Sequence, residues 1–181
     1  MSFFFQFSIV FLVFSGVFAQ PTHEECREEL KRAVDCAKIV SPSIYEFTDE
    51  KTFQENKKTV EQSRKCTGEL QCDVTKSIVK MDSAKLEFVE KLSKINWCTG
   101  NNVYSKVKQQ CAKSTKAAKQ SCSSYSEFVT CIEENLAKQP SCTQEDVEKF
   151  KTFSNLIIEI CNLKMDHIKA FSDFKKADFI Q

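Results

Sequence analysis

The chain has 181 residues, Lys plus Arg at 26, Asp plus Glu at 25, and a formal net charge of +1. That length fits one domain, and near-neutrality gives no global pull toward nucleic acid. Ten cysteines with only three Gly and three Pro exclude collagen-like, coiled-coil, multi-span membrane and disordered classes.

Residues 1–19 carry no charged side chain and hold seven of the sixteen Phe. Ile9 to Phe14 is an unbroken apolar run, and Val17 and Ala19 are the small residues a signal peptidase accepts at −3 and −1. This predicts a secretory signal cut between Ala19 and Gln20. An uncleaved anchor is the alternative, but the run is short for a bilayer span. No other stretch is apolar enough to span, so no transmembrane anchor is expected after cleavage. Residues 20–181 are then one cysteine-rich helical domain that is secreted and extracellular.

In an oxidising compartment an even cysteine count predicts full pairing. The set is Cys26, Cys36, Cys66, Cys72, Cys98, Cys111, Cys122, Cys131, Cys142 and Cys161. Five bridges allow several hundred connectivities, and the pairing stays open.

After the signal, Gly falls only at 68 and 100, and Pro at 21, 42 and 140. Strands would need turn residues more often than that. The expectation is an all-α, disulfide-stapled bundle of about five to six helices.

The first helix is predicted over about Glu24 to Val40. Cys26, Leu30, Ala33 and Ala37 share one face of a 3.6-residue period, and Ser41-Pro42 stops the helix. Tyr45 and Phe47 fall in the connection. The second begins near Thr48-Asp49-Glu50, where the dipole favours acids, and ends by Gly68. It is poor in apolar residues (Phe53, Val60). Cys66 and Cys72 bracket the turn.

A third helix, about Asp73 to Ile95, carries Val74, Ile78, Met81, Phe88, Val89, Leu92 and Ile95 mostly on one face, and Trp97-Cys98-Thr99-Gly100 stops it. A fourth is predicted from Asn102 to about Cys122, with Val103, Val107, Cys111, Ala118 and Cys122 within an arc of about 100°. On that helix Cys111 and Cys122 point at the same partner element. Cys122 and Cys131 would oppose each other on a straight helix, so a break is predicted near Ser121–Ser126. The fifth helix covers about Glu127 to Lys138, and Pro140 ends it. The last runs from Ser141 or Thr143 to about Phe174. Its wide apolar arc (Phe150, Phe153, Ile157, Ile160, Cys161, Ile168, Phe171, flanked by Leu156, Ile158 and Met165) fits the central helix of a bundle.

Residues that could carry chemistry are few. His23 lies in a stretch expected to fray, and His167 opposite the wide apolar face reads as a surface histidine. With every Cys oxidised, no thiolate nucleophile is expected. There is no C-x-x-C, H-E-x-x-H, EF-hand or P-loop pattern. Asp166-His167 lacks the adjacent Cys pair of a secreted phospholipase. Glu24-Glu25, Glu28-Glu29 and Glu133-Glu134 read as solvated helix faces. No catalytic residue, metal ligand or cofactor is nominated, and the chain is read as a non-enzyme. There is no N-x-[ST] sequon, so N-glycosylation is not expected.

Charge is unevenly distributed. Between Glu90 and Glu127 there is no acid, and the interval holds Lys91, Lys94, Lys106, Lys108, Lys113, Lys116 and Lys119. Residues 127–148 carry Glu127, Glu133, Glu134, Glu145, Asp146 and Glu148 against Lys138. The two segments either pack together and partly neutralise, or Lys106, Lys108, Lys113, Lys116 and Lys119 form an anion-facing surface for sulfated glycan, acidic lipid or an acidic partner. Arg occurs only at 27, 32 and 64, which disfavours phosphate-fork recognition and hence nucleic acid.

A signal followed by a Lys/Glu-rich helical domain with spaced single cysteines resembles a known family. The Cys26…Cys36 opening, the Cys66-x5-Cys72 turn, Trp97-Cys98 and the Cys122…Cys131…Cys142…Cys161 series carry the resemblance. It is to the nematode-expanded secreted cysteine-rich domain catalogued as domain of unknown function nineteen. It covers about Cys26 to Cys161 and implies compartment and disulfide scaffold, with no activity or functional residues to transfer. Members often carry one more cysteine pair than the ten cysteines here.

The function expected is a secreted binding module for an extracellular protein, glycan or lipid. The alternative is a carrier of a lipid or other apolar ligand between amphipathic helices, motivated by the apolar arc of residues 147–174 and the Phe171, Phe174 and Phe179 tail.

Overall fold

The computed structural model describes residues 20–40, 49–100, 102–115 and 122–178. The proposed signal, Tyr45, Phe47, Lys116, Lys119 and Phe179 lie outside the described residues. Among the described residues there is no strand, and the order is α1 (His23–Ala37), α2 (Glu50–Thr67), α3 (Asp73–Ser93), the single-turn α4 (Asn96–Thr99), α5 (Val103–Ser114), a 3₁₀ turn (Cys122–Ser124), α6 (Tyr125–Leu136), α7 (Gln144–Phe153) and α8 (Leu156–Asp178).

The protein is all-α, and five disulfides staple it: Cys26–Cys72, Cys36–Cys66, Cys98–Cys142, Cys111–Cys131 and Cys122–Cys161. The first two are nested. They clamp α1 against α2 and the start of α3. The other three tie α4 to the α7 lead-in, α5 to α6, and the 3₁₀ turn to α8. No bridge spans residues 73–97, so α3 joins the two bridged groups without a covalent tie.

The main core gathers Phe88 and Leu92 of α3, Tyr104 and Val107 of α5, Phe128, Ile132 and Leu136 of α6, Phe150 and Phe153 of α7, and Ile157 of α8. Edge-to-face aromatic contacts run through it, with Phe88 against Phe153 at 5.7 Å and Phe150 against Phe153 at 5.2 Å, geometry that the ring quadrupoles favour. A smaller cluster joins Phe53 of α2 to Leu86 and Val89 of α3. These two sets sit on neighbouring stripes of α3, which is why that helix is central.

Local signals set several boundaries where expected. Asp49 accepts from the Thr52 N–H at 3.0 Å and caps α2. Gly68 ends it at φ 71°, with its N–H on the Arg64 carbonyl, a conformation that glycine adopts without steric cost. Thr143 and Asp146 form a reciprocal capping box on α7.

The other differences have physical causes. α1 ends at Ala37 because Ile39 and Val40 N–H turn back onto the Cys36 and Ala37 carbonyls in a tightened last turn. Its buried stripe is also rotated, with Glu29 and Cys36 buried and Ala37 exposed. The predicted third-helix stop is itself helical, as α4.

The predicted fourth helix stops at Ser114, not near Cys122. The Ser114 and Thr115 hydroxyls both donate to the Cys111 carbonyl, at 3.2 and 2.7 Å, and Thr115 leaves the helical region at ψ 132°. Cys111 and Cys122 therefore reach different partners, Cys131 on α6 and Cys161 on α8.

The predicted last helix is two, broken at Ser154 and Asn155. Buried Ser154 donates to Glu133 at 2.7 Å and back to the Lys151 carbonyl at 3.2 Å. α8 is not an enclosed central helix. It lies along α3 and leaves Met165 and Ile168 exposed. The extra break explains why seven helices of ten residues or more occur among the described residues, not five or six.

Candidate functional site

An apolar concavity lies between α1, α2 and α3. Ala33, Val34 and Ala37 with Val40 form one wall; Val60, Ser63, Arg64 and Thr67 form the second; Gly68, Leu70, Ile78, Val79 and Asp82 complete it. Its volume is about 410 Å³, within the range of small-ligand sites. The nested bridges Cys36–Cys66 and Cys26–Cys72 fix its walls. Ala33, Ala37 and Gly68 have too little side chain to fill it, and Val34 stays 52% exposed.

Polar groups sit at its edge. Arg64 Nη2 donates to Ser83 Oγ at 2.8 Å. Asp82 pairs with Lys85 at 3.1 Å. Arg32 Nε donates to the Thr67 carbonyl at 2.8 Å, satisfying an end group of α2.

Beside the α2–α3 turn lies a buried carboxylate. Glu29 accepts from the backbone N–H of Gln71 at 2.8 Å, the N–H of Cys72 at 3.1 Å, and the Thr75 hydroxyl. Burial alone would raise its pKa, but those three donors and the Arg32 charge prevail and hold it below the usual glutamate value. Asp146 behaves alike: burial raises it, while bonds from Thr143 and the Trp97 side chain bring it below the usual aspartate value. Both carboxylates are consumed as helix caps. Burial pushes the Tyr104 hydroxyl upward.

The histidines are more engaged than the sequence predicts. His23 does not fray: its ring stacks on Phe174 at 4.6 Å and Nε2 donates to the Phe174 carbonyl at 3.1 Å. His167 is half-buried, with Nδ1 3.0 Å from Ser77 Oγ, which also donates to the Val74 carbonyl at 2.7 Å. No sequence signal marked that pair, because ninety residues separate its members. Neither residue lines the cleft or the wider trough of about 940 Å³ between residues 20–26, the α2–α3 turn and α8. The pair ties α3 to α8.

All ten cysteines are in disulfides and none is free. Among the described residues no group of three or more His, Cys, Asp or Glu could hold a metal ion, and no helix is long and apolar enough to cross a membrane. Lys106, Lys108 and Lys113 are exposed on α5. The basic and acidic segments do pack side by side through α5 and α6. Yet none of these three lysines makes an ion pair among the described residues, so contact brings no pairwise neutralisation there.

No protein-family model, curated protein or solved structure matches this chain.

Proposed function

We propose that this chain acts outside the cell as a rigid, disulfide-stapled helical binding module with no catalytic centre. The observation that carries the reading is the complete use of sulfur: ten cysteines form five bridges. Such a scaffold suits an oxidising compartment and keeps no thiolate for chemistry. Residues 1–19 supply the export signal and Gln20 the mature N-terminus. The partner is an extracellular protein, glycan or lipid. Kinship with the nematode-expanded cysteine-rich domain belongs to the same reading, supported by cysteine spacing.

The α1–α2–α3 cleft favours a narrower second reading, a carrier of a lipid or other apolar ligand. Eight aliphatic side chains line it and several remain partly exposed, a surface that gains by being covered.

Expression through a secretory pathway tests the first reading. The product in the medium is expected to start at Gln20 and to weigh ten hydrogens less than its reduced form. Free sulfhydryls, or retention in the cell, would overturn it. Native mass spectrometry and uptake of the neutral dye Nile red test the second. Neither co-purified lipid nor saturable uptake removes the carrier and leaves the module.

A further inference from the structure

We infer that the α1–α2–α3 cleft takes a single-chain amphiphile with an anionic headgroup, its tail among the aliphatic side chains and its headgroup on Arg64. This rests on the carrier reading and adds the charge of the ligand. Of the two charged groups lining the cleft, Asp82 pairs with Lys85, whereas Arg64 makes no ion pair among the described residues.

Arg64 is an exposed residue of the lining, where a headgroup can reach it without losing all its water. Its contact with the Ser83 hydroxyl fixes one edge of the fork. The remaining N–H groups suit two oxygens of a carboxylate or phosphate, which a guanidinium binds in bidentate fashion. The tail end is equally specified. Val34, Val60 and Val79 offer aliphatic contact without a buried hydrogen-bonding group to satisfy. A volume of about 410 Å³ is near the low end of ligand sites, which span about 300–1,000 Å³, and accommodates one chain better than two.

Carboxylate and phosphate headgroups share this chemistry, so the test uses both. Oleic acid, oleoyl lysophosphatidic acid and oleyl alcohol are titrated calorimetrically, below their micelle thresholds, into the mature protein, Arg64→Gln and Ala37→Trp. Both acids are expected to bind about tenfold or more tightly than the alcohol, and Arg64→Gln to abolish that preference. The tighter acid identifies the headgroup. Ala37→Trp, at an exposed position, fills the cleft and is expected to remove binding of all three. If the alcohol binds as tightly as the acids, or the acid preference survives in Arg64→Gln, the headgroup assignment falls while the carrier reading stands. If none of the three binds, or Ala37→Trp binds normally, the cleft carries neither.

Discussion

Glu29 of α1 caps α3 in place of Cys72. Cys72 occupies the N-cap position of α3, but its side chain makes no capping bond, because its sulfur is bridged to Cys26. The Glu29 carboxylate, 43 residues earlier, takes the Cys72 N–H at 3.1 Å and the neighbouring Gln71 N–H at 2.8 Å. One disulfide and one carboxylate thus lock the same corner. A negative group at a helix N-terminus also meets the favourable end of the dipole.

Replacing Glu29 by Gln is expected to destabilise the protein by about 1–3 kcal/mol, since an amide leaves part of this buried donor set unmatched. The pH dependence has a definite sign. The folded-state pKa lies below the ordinary value of 4.5, so the unfolded chain binds more protons in acid. The stabilisation is full above the ordinary value and disappears as pH falls through the lower folded value. Urea melts of the wild type should lose midpoint below about pH 4.5, and the variant should lose less over that interval. An equal acid slope in the two proteins would refute the cap.

The bridge map makes a topological prediction. Under denaturing, non-reducing conditions a single cut within residues 73–97 should release two separate pieces, because Cys26, Cys36, Cys66 and Cys72 pair only with one another. A single cut between Cys98 and Cys142 should release nothing until reductant is added. One cross-linked peptide joining the first four cysteines to the last six would refute the arrangement. Removing the Cys36–Cys66 pair as a double Ser variant should cost about 2–4 kcal/mol by the loop-entropy argument.

The exposed lysines of α5 can be tested by affinity chromatography. Changing Lys106, Lys108 and Lys113 together to Ser should shift elution from heparin to clearly lower salt, since charge contacts with a polyanion are screened by salt. Circular dichroism should stay unchanged, because all three side chains are exposed. Unaltered retention would remove the anion-facing surface from consideration.

The all-α class, the capped starts at Asp49 and Thr143 and the glycine stop at Gly68 were legible in the chain, because each follows from side chains within four residues. Helix ends governed by Ser and Thr were not. The hydroxyls of Ser114 and Thr115 return to the Cys111 carbonyl at the end of α5, yet Ser77 and Ser83 make the same local bond inside unbroken α3, and Ser154 meets Glu133 only after α6 has packed beside it. The cleft was equally hidden. Val34, Val60 and Val79 stand on three separate helices, and only the packing of those helices gathers them around one hollow.

The sequence by itself determined the all-α class and several helix starts and stops, and its even cysteine count predicted that every cysteine would be tied, because backbone propensity, capping and thiol oxidation are local properties. Tertiary structure alone decided which sulfur meets which, that Glu29 serves a helix it does not belong to, and that Arg64 faces an apolar hollow. Those outcomes depend on distances between segments far apart along the chain, and such distances exist only after the helices have packed.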